Sequence, residues 1–243
     1  MTTLDFLRTF DDQHEAFIAA CERAGTSTAV PACPDWTVSD LVFHVYEVQY
    51  IWHRVVAERR EGFEGLQLPT RHEGAAALAV LRGEHVAYSA VLGAAPSDTP
   101  QWTWTGMQDL GWLARRMAQE MVVHRYDAEQ AAAVVTGSVA PDVEPSLASD
   151  GVDEFLAFFL NTSNGPVTGS VHLHCTDVEG EWTVRPDGDR LVVTREHAKG
   201  DCAIRGRAHD ILMALWRRGP LSACEVLGDA DVAAGFVAAS SLD

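Results

Sequence analysis

An acid and a histidine lie on the apolar side of a long predicted helix. Glu120 and His124 are one helical turn apart, so their side chains project from the same face. They belong to a stripe with alternating spacings of three and four: Leu110, Leu113, Met117, Glu120, His124, Asp127 and Ala131. A buried carboxylate is costly unless it is paired or bound to a metal. The stripe therefore predicts either a metal site or a buried ion pair inside the helical region.

A metal site here needs at least one ligand from another helix. His44 lies at the edge of the apolar face of the second predicted helix, between Leu41 and Val48. Together with Glu120 and His124 it would give three nitrogen and oxygen donors and leave one position open, as in catalytic zinc sites. The spacing alone leaves open a structural pair of Glu120 with a histidine or an arginine.

Asp127 is a candidate to orient the imidazole of His124, because it follows three residues later on the same stripe. Pairing of Asp127 with Arg116 or Arg125 on the helix surface is an equally good interpretation.

Two further features are weaker candidates for chemistry. His172 and His174 share one face of a predicted strand, which could hold a metal but more often marks a solvated face. Cys33 precedes a helix and could be a reactive thiol, although structural burial is the favoured interpretation.

Four amphipathic helices are predicted to position the candidate ligands. They cover roughly residues 3–23, 38–60, 73–92 and 107–133, and loops rich in proline join the first to the second and the third to the fourth. Thr37 is a candidate N-cap of the second helix, with Asp40 in a capping-box position. This pattern favours a four-helix bundle, whose metal sites use inward side chains of facing helices.

The hydrophobic pattern changes in the second part of the chain. A connecting helix is predicted near residues 149–160, and from Gly169 the period becomes two. The predicted strands begin near residues 171, 181, 191, 202 and 224, with helices over about 207–217 and 229–239. The fold class is therefore a two-domain α+β protein, with a helical bundle over residues 1–145 and a small α+β domain over residues 146–243.

Composition excludes several kinds of partner. The net charge is -17, from 35 acidic against 18 basic residues, which disfavours binding to nucleic acids and anionic membranes. No apolar run reaches transmembrane length, and residues 1–5 lack the features of a signal peptide. The five cysteines are odd in number and scattered, as is typical of reduced thiols, so we expect a cytoplasmic protein.

Several segments, in order along nearly the whole chain, resemble the mycothiol-dependent maleylpyruvate isomerase family. One segment is CPDWTVSDLVFHV, from Cys33 to Val45, and another is EMVVHRYDAE, from Glu120 to Glu129, which matches an E-x-x-x-H-R-x-D-A pattern. The remaining matches are the segments 173–177, 180–182, 205–206 and 215–218. These motifs are fairly specific together, and none would be specific alone.

The resemblance implies a DinB-like four-helix bundle followed by a sterol-carrier-like α+β domain. It also implies a divalent metal, usually zinc, held by His44, Glu120 and His124, the three positions that the helical patterns single out. A basic residue of the second domain is expected near the substrate, and the candidates are Arg205, Arg217 and Arg218.

The implied activity uses mycothiol, a low-molecular-weight thiol, as cosubstrate. Its thiolate would add to the cis double bond of maleylpyruvate, and rotation followed by elimination would give fumarylpyruvate. An arginine could hold a carboxylate of this small electrophilic substrate. A mycothiol S-transferase acting on another electrophile, or a non-catalytic metal- or ligand-binding regulator, remains an alternative, and the sequence does not fix the oligomeric state.

Overall fold

The computed structural model describes residues 4–188 and 190–242, and it divides into two compact units. The first unit ends at Pro141 and the second begins at Asp142. The first is mainly helical, and the second is a sheet with helices, so the predicted α+β class is confirmed. Among the described residues, no helix is long and apolar enough to cross a membrane.

The first unit is built on four long helices. They are α1 (Phe6–Ala24), α2 (Val38–Ala57), α3 (Gly74–Leu92) and α4 (Leu110–Thr136). The helix α1 packs mainly along α4, and α2 packs mainly along α3. Leu41, Leu81, Leu113 and Met121 are among the fully enclosed side chains of the core between them.

Two short hairpins replace the loops expected between helices. Strands β1 (Ala29–Val30) and β2 (Cys33–Thr37) pair before α2, and β3 (Pro100–Thr103) and β4 (Gly106–Asp109) pair before α4. The predicted start of the fourth helix near residue 107 is therefore wrong by three residues. Met107 pairs with Trp102 in the second hairpin, and the helix begins only after the Asp109 side chain accepts a hydrogen bond from the amide of Trp112.

The predicted N-cap of α2 is confirmed. The hydroxyl of Thr37 accepts from the amide of Asp40 at 3.4 Å, and the carboxylate of Asp40 accepts from the amide of Thr37 at 2.8 Å. Hydrogen bonds from Thr37 and Arg71 lower the pKa of Asp40 to about 2. This capping box fixes where α2, the helix that carries His44, begins.

The second unit is a five-stranded sheet with helices. Its strands are β5 (Val171–Cys175), β6 (Glu181–Asp187), β7 (Arg190–Thr194), β8 (Cys202–Gly206) and β9 (Glu225–Gly228), in the order β7-β6-β5-β8-β9. The pair β5–β8 is parallel, and the other neighbours are antiparallel. Its helices are α5 (Pro145–Glu154), extended by a π-helical turn over Phe155–Phe159, α6 (Ala208–Leu215) and α7 (Ala230–Ala239).

The connecting helix α5 begins four residues before its predicted start. Pro145 occupies its first turn, and the Glu144 side chain caps it by accepting from the amide of Leu147. Proline suits the first turn of a helix, because its missing amide hydrogen would have no partner there. Pro145 therefore marks the start of α5.

Candidate metal centre

The three predicted ligands converge in the first unit. His44 lies on α2, and Glu120 and His124 lie one turn apart on α4. The Nε2 atoms of the two histidines are 3.1 Å apart. The Oε1 atom of Glu120 lies 3.1 Å from Nε2 of His124 and 3.4 Å from Nε2 of His44. The two helices therefore bring one donor atom from each residue to a common point.

The donor spacing fits a divalent metal. Zinc binds imidazole nitrogen and carboxylate oxygen at about 2.0–2.2 Å, so tetrahedral coordination puts neighbouring donors about 3.3–3.6 Å apart. The three observed separations, 3.1, 3.1 and 3.4 Å, lie within this range or just below it. Three protein donors would form one face of the tetrahedron and leave the fourth position open to a small molecule.

A buried carboxylate orients the candidate ligand His124. Asp127 is fully buried, and its Oδ2 lies 3.0 Å from Nδ1 of His124. When Nδ1 donates its proton to Asp127, the metal-facing Nε2 keeps the tautomer that can bind a metal. This arrangement agrees with the orienting role considered for Asp127.

Arg116 holds the other oxygen of the glutamate. The guanidinium of Arg116, which is 4% exposed, contacts Oε2 of Glu120. The second arginine considered as a partner of Asp127, Arg125, donates instead to the carbonyl of Pro141 at 3.4 Å. Glu120 thus combines both interpretations of the sequence, because Oε2 is paired with an arginine while Oε1 faces the two imidazoles.

Without a metal, the side chains of Glu120 and His124 carry opposite charges. Burial by itself would raise the pKa of Glu120, but Arg116 and His124 hold it well below its usual range. Burial by itself would lower the pKa of His124, but Glu120 and Asp127 raise it to about 9. At neutral pH the metal-free pair is therefore a carboxylate and an imidazolium, so binding a metal at His124 must release one proton.

Trp36 is a site residue that the sequence patterns do not reveal. Its ring lies 5.1 Å from that of His44, measured between centroids. Trp36 belongs to β2, in the segment predicted as a loop, so its contact depends on a hairpin that helical periodicity cannot detect. The sequence segment that resembles the family contains both Trp36 and His44, and it was the feature of the sequence that could have indicated their contact.

The three candidate arginines lie at separate positions of the second unit. Arg205 on β8 pairs with Glu225 at 3.1 Å. Arg217 has a positive φ of 56° and donates to the carbonyl of Ser240, and Arg218 donates to the carbonyl of Trp216 at 2.8 Å. Their assignment to catalysis stays a prediction.

All five cysteines are reduced. Burial raises the pKa of Cys175 to about 12 and those of Cys202 and Cys224 to about 11, and it raises that of Cys21 further. Cys33 is half-buried.

A helical bundle followed by a sheet domain defines the class of fold, and family comparisons identify the family. The model of the mycothiol maleylpyruvate isomerase N-terminal domain matches residues 7–129, and the model of that family's C-terminal domain matches residues 146–235. The chain therefore belongs to the mycothiol maleylpyruvate isomerase family, as the sequence motifs predicted.

A solved structure supports the fold. The crystal structure of a histidine-to-alanine mutant of the mycothiol-dependent maleylpyruvate isomerase has a TM-score of 0.60 to this chain. The match covers 93% of this chain and 95% of that chain at 11% sequence identity, so it bears on fold alone. A search among curated proteins gave no significant match.

Proposed function

We propose that this protein is a zinc- and mycothiol-dependent enzyme that isomerises maleylpyruvate to fumarylpyruvate. Family membership supports a mycothiol-dependent enzyme of this type. The observation that carries the proposal is the convergence of His44, Glu120 and His124 to donor separations of 3.1–3.4 Å. The five reduced cysteines support a reducing compartment, and we infer a cytoplasmic location.

The side chains of the bundle hold and orient the donor set. His44, Glu120 and His124 would bind the metal, Asp127 keeps His124 in the required tautomer, and Arg116 keeps Glu120 ionised. A divalent metal held there would supply an open, Lewis-acidic position that favours thiolate over thiol. A low-molecular-weight thiol would then be nucleophilic near neutral pH.

The reaction proceeds by addition and elimination. The sulfur of mycothiol adds to the cis carbon–carbon double bond, the resulting single bond rotates, and expulsion of the thiolate restores the double bond as trans. The chain itself need not provide a nucleophile. Arg205, Arg217 and Arg218 are the proposed candidates to bind a substrate carboxylate through paired hydrogen bonds.

The test combines metal analysis with product analysis. The zinc content of His44→Ala should fall by about one ion per chain relative to wild type, and mycothiol-dependent conversion of maleylpyruvate should be lost with it. His72→Ala, which removes a half-buried histidine outside the cluster, is the matched control. Equal zinc content in wild type and His44→Ala would refute the ligand assignment.

The product distinguishes the reaction classes. An isomerase releases fumarylpyruvate and regenerates mycothiol, whereas an S-transferase accumulates a stable thioether that mass spectrometry detects. Metal binding without turnover of any electrophile would instead favour the regulator.

A further inference from the structure

A second cluster of potential ligands lies in the second unit. It consists of His172, His174, Glu181 and His197, which each offer one donor atom, all within 4.8 Å of one another. The residues are separate in sequence from the candidate centre of the bundle, and the family reaction proposed above makes no use of them.

Strand register brings three of the four together. His174 on β5 lies directly opposite Glu181 on β6, and His172 lies two residues earlier on the same face of β5. His174 and Glu181 are in contact through Nδ1 and Oε1. Side chains that share a face of adjacent strands are held in fixed proximity by the backbone ladder.

The fourth residue comes from the segment between β7 and β8. Nδ1 of His197 lies 3.1 Å from both carboxylate oxygens of Glu181, and its ring is 5.0 Å from that of His172. The side chain of His197 is 76% exposed, so it is free to adjust. Glu181 thus connects two histidines that arise from different elements.

His172 is buried, and among the described residues one of its ring nitrogens has no hydrogen-bond partner. It is 8% exposed, so its interpretation as a residue of a solvated face is wrong, because neighbouring rings and strands enclose it. Its Nε2 is buried with no hydrogen-bond partner among the residues that the structure describes. A buried nitrogen without a partner is destabilising and calls for an explanation such as an ion.

We propose that His172, His174, Glu181 and His197 form a four-ligand binding site for a divalent transition metal of the zinc type. Three imidazole nitrogens and one carboxylate oxygen match the donor preference of zinc. Tetrahedral coordination requires the donors to approach one another by at most about 1.5 Å, and the exposed side chain of His197 has room to move by this amount. Four protein ligands leave no open position, so the ion would tie the segment carrying His197 to β5 and β6 as a structural link.

The test uses full-length protein in which the candidate centre of the bundle is removed by His44→Ala and His124→Ala together. Titration with Co²⁺ should give about one ion per chain, with the visible absorption bands of tetrahedral coordination, and Zn²⁺ should displace it. Adding His197→Ala or Glu181→Gln should weaken Co²⁺ binding at least tenfold. The matched controls are His72→Ala and Glu196→Gln, and the latter removes an exposed carboxylate beside His197 but outside the cluster.

Each outcome decides the proposal. No Co²⁺ uptake by the double variant, or uptake that His197→Ala leaves unchanged, would overturn it. Because His197 is exposed, its replacement should not disturb folding, which circular dichroism would verify. A rise of melting temperature with Zn²⁺ that His197→Ala abolishes would confirm binding to the folded state. Zinc loss in His44→Ala alone reports on the other centre, so the two proposals fail separately.

Discussion

The two histidine–glutamate clusters contain similar side chains, but different structural features bring those side chains together. In the bundle, Glu120 and His124 are fixed by helix periodicity and held by Arg116 and Asp127, which are 4% and 0% exposed. In the sheet, strand register supplies part of the cluster, and an exposed residue of a connecting segment completes it. Buried partners thus hold the donors of the candidate bundle site, whereas an exposed side chain completes the proposed sheet site.

The largest expected contrast is in the stability of the metal-free protein. Glu120→Gln removes the carboxylate charge that faces the buried Arg116 and should destabilise the first unit by roughly 3–5 kcal/mol. Glu181→Gln acts on a side chain that is 28% exposed and should cost about 1 kcal/mol or less. Urea denaturation in the presence of a chelator measures both, and similar losses would show that the clusters are energetically alike.

The second contrast concerns the orienting carboxylate. Asp127→Asn should lower the zinc affinity of the bundle centre by about 10–100-fold, because the amide no longer fixes the tautomer of His124. Binding by the sheet cluster should be unaffected. Competition with a coloured chelator, using His197→Ala to isolate the bundle centre, measures the change. An unaltered affinity would mean that Asp127 does not orient its neighbour.

The third contrast is in pH dependence. The pKa of His124 is raised to about 9, above its unfolded value near 6.5, so its stabilising contribution in metal-free protein is complete below pH 6.5 and is lost as the pH rises through 9. Zinc must displace that proton, so affinity at the bundle centre should rise about tenfold per pH unit from pH 7 to 8.5.

The sheet cluster provides the comparison for this measurement. His172 has a lowered pKa and carries no proton to displace at pH 7. Zinc titrations of His197→Ala and His44→Ala at several pH values should therefore give a steeper slope for the variant that retains the bundle centre. Equal slopes would contradict the assigned charge state of His124.

The smallest expected effect is at the capping box of α2. Thr37→Ala should lower the stability of the first unit by about 1 kcal/mol, because the amide of Asp40 loses its side-chain acceptor. Zinc affinity should change little, since the helix itself persists. Thermal denaturation against Ser27→Ala, an exposed control, gives the difference. A large loss of zinc would mean that the cap also positions His44.

Local patterns predicted the bundle well, because helical geometry relates positions three and four residues apart. The spacing on α4 indicated Glu120 and His124 directly, and the facing helix offered His44. The short hairpins were missed since their prolines resemble loop signals, and with them the contact of Trp36 was missed. These features depend on pairing between segments, which a local pattern does not encode.

The sheet cluster shows the same limit more clearly. His172 and His174 were visible as a pair, but nothing in the sequence indicated that His197 returns to Glu181 across a strand and a turn. Its conformation depends on the path of the chain from β7 to β8. The choice among Arg205, Arg217 and Arg218 is likewise beyond what spacing can decide.

The burial of the cysteines protects their thiols from alkylation by electrophiles. Electrophiles attack thiolates, and Cys21, Cys175, Cys202 and Cys224 remain protonated and enclosed at neutral pH. An enzyme that handles a reactive alkene would otherwise alkylate its own core and lose its fold. With these sulfurs inert, the chain would tolerate the electrophilic substrate proposed above, which only an activated low-molecular-weight thiol is meant to attack.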